Sequence, residues 1–293
     1  KRERVMAIGQ ALSQTSQKFS ENLLDATNAF ELVIDDKAKL AGIPEETLAL
    51  YEASAKAAGK SGWRITLQFP SYLPAMKYCE DRSIRETLYR AFSARAAEFD
   101  GARFDNTPLM TEILKLRGEE ASLLGFKNYA ALSLETKMAE SPEAVLTFLR
   151  DLARRAKLKA QADVEEVNEF ARRELNLETV EPWDRPYASE KLRESRYSYS
   201  DAEVKRYFTE PTVFAGFFKL VETLFGIEIN EAKASVWHPD VKYFEVKRNG
   251  EKIAAFYADL YAREGKRSGA WMDGERPRTI RAGRLVTPVA YLV

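Results

Sequence analysis

No glycine or proline interrupts the chain between Glu143 and Leu175, a stretch long enough for about nine turns of helix. Few folds absorb an element of that length, so this stretch alone points to a predominantly helical architecture. Val145, Leu149, Leu152, Ala153 and Ala156 recur at helical spacing. Ser141-Pro142-Glu143 marks the start, with proline in the first turn, where its missing N–H costs nothing. Basic Arg154, Arg155, Lys157 and Lys159 precede acidic Asp163, Glu165, Glu166 and Glu169, which reads as a solvated face laced with ion pairs.

The same grammar recurs over the first two-thirds of the chain. Met6 to Phe30 lacks proline, and Pro44 opens a helix over Glu45 to Ala58 that Gly59 and Gly62 close. Ser83-Ile84-Arg85-Glu86 is a capping box, continued by Leu88, Phe92, Arg95 and Phe99. Asn106-Thr107-Pro108 starts a helix that runs to Gly125, and Phe217, Leu220, Val221 and Leu224 line another, closed by Gly226. The period then changes. Val241 to Lys247 alternates, and Asn249-Gly250 separates it from a return run, Ile253 to Tyr261, which predicts a hairpin because both turn residues tolerate positive φ. Leu285 to Val293 reads as a further strand. The expectation is a mainly α chain: a helical region over 1–228, then the β-rich start of an α+β part over 229–293. No period of 20–50 residues recurs, against a regular solenoid.

Composition excludes more than it proposes. Of 293 residues, 45 are basic and 45 acidic, so the net charge is zero, which argues against a general nucleic-acid binder. No apolar run approaches the roughly 18 residues of a membrane span, and no signal peptide follows Lys1, so no membrane association and a cytoplasmic setting are expected. One cysteine, Cys79, cannot form an internal disulfide; it reads as a small core residue in a reducing compartment. One histidine, His238, cannot build a zinc site by itself, since such sites take three or four ligands; it reads as a turn residue bonded to backbone. Gly265-Lys266 lacks the preceding glycine of a phosphate loop.

The most informative stretch is Tyr257-Ala258-Asp259-Leu260-Tyr261-Ala262-Arg263-Glu264-Gly265-Lys266-Arg267-Ser268-Gly269-Ala270-Trp271. It describes a strand, a glycine turn, and a small-residue segment that another backbone can approach. Together with Phe19-Ser20-Glu21-Asn22-Leu23-Leu24-Asp25-Ala26-Thr27, Pro70-Ser71-Tyr72-Leu73-Pro74, Lys137-Met138-Ala139-Glu140, Pro182-Trp183-Asp184 and Trp237-His238-Pro239-Asp240-Val241, it resembles the thimet oligopeptidase family. The resemblance runs in order through nearly the whole chain.

That resemblance implies a zinc-dependent peptidase that cuts short peptides in a channel between two mostly helical halves. Residues 1–228 would form one channel wall, and 229–293 the first strands of the catalytic region. In the family, zinc sits on a His-Glu-x-x-His helix that follows soon after a strand like Pro288 to Val293. No such motif occurs here. No catalytic or metal residue can therefore be carried over, and the chain reads as an internal fragment, inactive alone, whose missing catalytic portion is its natural partner. Zinc belongs to the complete enzyme, with none in this chain. Ser268, Gly269, Ala270 and Trp271 are the expected substrate-binding edge, holding peptides through main-chain bonds. The alternative is a non-catalytic helical protein that binds peptides or partners.

Overall fold

Free of proline, the N-terminal stretch runs as one helix, α1 (Arg2–Ala29). The computed structural model describes residues 1–99, 103–198, 201–263, 265–266 and 269–293, without the side chains of 201 and 202. Contacts divide the chain into two units, Lys1–Arg196 and Tyr197–Val293. In the first, β1 (Glu31–Ile34) pairs antiparallel with β2 (Trp63–Thr66), Leu32 opposite Ile65. Between them lie a 3-10 turn (Lys37–Leu40) and α2 (Glu45–Ala57). Pro44 precedes α2, and Glu45 and Glu46 fill its first turn, where negative charge meets unpaired N–H groups favourably. With α3 (Phe69–Tyr78) and α4 (Arg82–Ser93), these elements enclose a core that includes Leu48, Tyr51, Ile65, Met76 and Leu88. Tyr51 Oη donates to Ser71 O at 2.6 Å, and Thr66 N donates to Ser71 Oγ at 2.9 Å. Those two bonds pin α2, β2 and α3 together.

The start and end of α4 both differ from the sequence reading. Asp81, not Ser83, caps the helix: its carboxylate accepts from Ser83 N (2.8 Å), Ile84 N (3.3 Å) and Ser83 Oγ (2.6 Å). Asp81 lies two residues upstream and offers two oxygens, so it takes the free N–H groups first. Glu86 is left to accept from Arg90 at 2.8 Å along the helix. The helix stops at Ser93 rather than continuing to Phe99, because Arg95 Nε takes the Phe92 carbonyl (2.8 Å) and Ala96 turns to φ 52°.

The β1–β2 pair has no counterpart in the sequence reading, whereas the helix signals at Gly125 and Ser141 hold. α5 (Thr107–Leu124) packs on α1 and ends at Gly125 with φ 89°. Arg4 pairs with Glu119 (2.6 Å), and buried Asn106 accepts from Asn22 Nδ2 and donates to Phe19 O, each at 3.0 Å. α6 (Tyr129–Leu134) precedes α7 (Pro142–Glu174), whose first turn is capped by Ser141 Oγ accepting from Ala144 N at 3.1 Å. Phe170 and Ala171 are buried, while most of residues 146–166 are exposed and carry pairs such as Arg155–Asp151 at 2.7 Å. Just before α8 (Arg185–Tyr197), fully buried Asp184 accepts from Arg82 Nη2 (2.7 Å), Arg85 Nη2 (2.8 Å) and Glu181 N (3.1 Å). Burial by itself would raise this carboxyl; the arginine hydrogen bonds override it and hold it below the usual carboxylate range. Arg85, 1% exposed, also donates to Cys79 O (2.7 Å) and Glu80 O (3.0 Å).

The second unit begins with α9 (Asp201–Lys205) and α10 (Glu210–Phe225), closed by Gly226 at φ 60°. Strands β3 (Glu228–Ala232), β4 (Lys242–Arg248), β5 (Glu251–Ala258), β6 (Met272–Arg276), β7 (Thr279–Arg281), β8 (Arg284–Val286) and β9 (Val289–Leu292) follow. Five of them form a sheet in the order β3-β4-β5-β9-β6, with β5 and β9 parallel and the remaining neighbours antiparallel. Asn249 (φ 52°) and Gly250 (φ 79°) make the β4–β5 turn, as their sequence predicts. Phe214 and Phe218 of α10 cover one sheet face through Phe244, with ring centroids 6.0 and 5.1 Å away. Tyr243, Tyr257 and Tyr291 stand in a row on the other, at 4.8 and 5.7 Å. The run from Leu285 to Val293 is two strands, not one. β8 pairs with β7, Pro288 interrupts, and β9 enters the sheet. Proline lacks the N–H a continuous ladder requires. The protein is thus mainly α with its strands concentrated toward the C-terminal end, and among the described residues no helix is long and apolar enough to cross a membrane.

Candidate functional site

β6 is one of the two edge strands of the five-stranded sheet, next to β9, with β3 at the other edge. Immediately before it, Trp271 N donates to Val293 O (2.8 Å) and Val293 N donates to Trp271 O (2.9 Å). In an antiparallel ladder such an exchanging pair alternates with residues whose N–H and C=O point away from the partner. With Trp271 turned toward Val293, the Ala270 C=O and the main-chain groups of Met272 face the open side of the sheet. Both residues are exposed, as is Gly269, whose φ of 110° lies where side chains are rarely tolerated. Trp271 is 42% exposed at the flank. Ser268, the first residue of the expected substrate edge, lies outside the described residues, as do Glu264 and Arg267.

Behind this edge sits a charged node. Asp259 directly follows β5, is 3% exposed, and donates its N–H to Leu292 O at 2.8 Å. Its carboxylate accepts a two-pronged contact from Arg263 (2.6 and 2.7 Å), and accepts from Lys266 Nζ (3.1 Å) and Trp237 Nε1 (3.1 Å). Lys266 Nζ also reaches Asp259 O (2.6 Å) and Tyr261 O (2.9 Å). The Arg263 bonds, reinforced by Lys266 and Trp237 against the cost of burial, hold the Asp259 carboxyl far below its ordinary range. Trp237 in turn packs on Tyr257 and Tyr291, with ring centroids 5.2 and 5.6 Å away. Trp237, Asp259, Lys266, Trp271, Tyr291 and Val293 line a cavity of about 290 Å³. Sequence reasoning singled out this stretch for its glycines and gave Asp259 no part. The signal available was the acid–base spacing Asp259, Arg263, Lys266.

His238 sits in a turn, where Asp240 N donates to its Nδ1 at 3.3 Å, and the Asp240 carboxylate lies 3.5 Å from the same nitrogen. Cys79 is fully buried, its thiol pushed up to about 11 by burial. Among the described residues, no three His, Cys, Asp or Glu side chains converge as a metal site, so this donor set does not fit a zinc ion. What the geometry offers is an open main-chain edge, held by a saturated ionic node.

The profile of peptidase family M3 matches residues 75–293. Over its whole length the chain is 45% identical to oligopeptidase A of Salmonella typhimurium, across 297 aligned residues that make up 44% of that relative, and the figures for Escherichia coli oligopeptidase A are the same. It is 34% identical to Escherichia coli dipeptidyl carboxypeptidase over 267 residues, 90% of the chain and 39% of the relative. The chain spans less than half the length of these relatives. With most of its residues inside the matched profile, the chain belongs to peptidase family M3.

Proposed function

We propose that this chain is part of a zinc-dependent oligopeptidase that hydrolyses short peptides inside a channel in the cytoplasm. Residues 1–228 form one channel wall, and 229–293 begin the catalytic region. The observation that carries the reading is the open edge beside β6: in a peptidase family, an exposed strand with outward main-chain groups is suited to take an extended peptide as one more strand. Ala270 and Met272 supply those groups, Gly269 and Ala270 leave room for a second backbone, and Trp271 flanks it. Main-chain pairing holds peptides of many sequences, which fits a degradative enzyme. In the complete enzyme zinc would be held by ligands outside this chain and would supply Lewis-acid chemistry. The chain itself binds and orients, and is inactive alone.

The test is Ala270→Pro in the full-length enzyme, which removes an N–H from that edge and stiffens it. Each main-chain bond is worth roughly 0.5–1.5 kcal/mol net, so losing one lowers kcat/KM by about 2- to 10-fold. Zinc content, melting temperature and peptide hydrolysis are measured together. Unchanged hydrolysis in a folded, zinc-loaded variant means that β6 is not the substrate's neighbour.

A further inference from the structure

We infer that Asp259 is a positioning residue for the β6 edge, gathering the segment between β5 and Trp271 so that Ala270 and Met272 present their main chain to a peptide. The inference rests on the reading of that edge given above. After Asp259, whose N–H still bonds Leu292 O, the next described residue paired with the sheet is Trp271, opposite Val293. Among the described residues of the intervening segment, the Tyr261 hydroxyl donates to Glu210 of α10, and the other side-chain tethers converge on Asp259. Arg263 grips both carboxylate oxygens, while Lys266 holds one oxygen and the Asp259 carbonyl. Trp237 Nε1 ties the same carboxylate to the aromatic row on the sheet face.

The stoichiometry of donors argues for a tether rather than a ligand site. A carboxylate has about four lone-pair directions, and Asp259 uses them on four N–H donors. Lys266 has three ammonium protons, and three oxygens take them: Asp259 O, Asp259 Oδ1 and Tyr261 O. Neither group has capacity left for a bound molecule. A buried carboxylate with two cations around it is also costly to disturb, since loss of its charge leaves both cations facing each other. The node therefore acts through the strand it holds, not by touching substrate.

The experiment is Asp259→Asn in the full-length enzyme, read by amide hydrogen exchange and steady-state kinetics. The expected result is exchange at Trp271 and Val293 at least tenfold faster, with amides of the β4–β5 hairpin unchanged. KM for peptides rises severalfold while kcat stays within about twofold. Trp237→Phe, which removes a single donor, moves both readouts the same way by less, and it serves as the test if Asp259→Asn does not fold. Unchanged exchange at Trp271 and Val293 in a folded variant overturns the inference. So does faster exchange with an unchanged KM, if Ala270→Pro in the same enzyme slows turnover. If Ala270→Pro is also without effect, the reading of the edge has failed and the inference falls with it.

Discussion

Asp184→Asn is the sharpest perturbation of the first unit. The carboxylate is fully buried and takes charged hydrogen bonds from Arg82 and Arg85, at 2.7 and 2.8 Å. Asparagine keeps the size but loses the charge and one accepting oxygen. Among the described residues Arg85, 1% exposed, then has only neutral groups as direct partners against its positive charge: the carbonyls of Cys79 and Glu80, the Tyr187 ring 4.3 Å away, and the one oxygen the asparagine keeps. Removing one partner of a buried pair costs about 3–5 kcal/mol. Arg82 is partly exposed and adds little. For a folding unit of this size, each kcal/mol moves Tm by roughly 2–4 °C, so a fall of about 6–20 °C is expected. The pH dependence has a definite sign. The folded-state carboxyl is depressed, so its stabilisation is complete above the unfolded-state pKa near 3.9 and is lost as pH falls through the lower folded value. Wild type therefore loses this contribution below about pH 4, and Asp184→Asn lacks that limb. Thermal melts by circular dichroism from pH 7 to pH 3 measure both effects. A Tm within about 2 °C of wild type at pH 7 would refute the reasoning, because it would mean that Arg85 finds equal compensation elsewhere.

Two further outcomes are expected. Cys79, buried and with its thiol raised to about 11, stays unmodified by iodoacetamide at pH 8 in the native state, where only about one thiolate in a thousand exists, and reacts promptly in denaturant; rapid native labelling counted by mass spectrometry would contradict its place in the core. The purified chain, with one histidine and one cysteine, binds no stoichiometric zinc and cleaves no peptide; metal found by elemental analysis together with chelator-sensitive hydrolysis would show that these residues build a site after all.

Local signals in the sequence translated well where one residue decides the conformation. Gly125 and Gly226 end their helices in the left-handed region, Ser141 caps α7, and Asn249-Gly250 turns the hairpin. Signals failed where two candidates competed or the partner was remote. Asp81 outcompetes Ser83 for the same N–H groups, and a capping-box pattern does not rank the two. The strands β1 and β2 are four residues each, too short to show a period, and α2 separates them. In the candidate site, glycines and small residues drew attention to the segment before Trp271. The node behind it stayed invisible, because Trp237 and Asp259 stand 22 residues apart and nothing local announces their contact.

The strand order β5-β9-β6 carries a consequence for the chain as it is made. β6 leaves the ribosome before β9, the strand that must come between it and β5. Synthesis proceeds at about 5–20 residues per second, so β6 waits on the order of one to three seconds before Val289–Leu292 exists. Through that interval the β5 side of the gap is also uncovered, so β5 is an unpaired edge that the finished sheet does not have. The β7–β8 hairpin, whose contacts are local, can close in microseconds and fold the intervening residues back on themselves. β9 then arrives beside both waiting strands, and a single insertion joins β6 to the sheet.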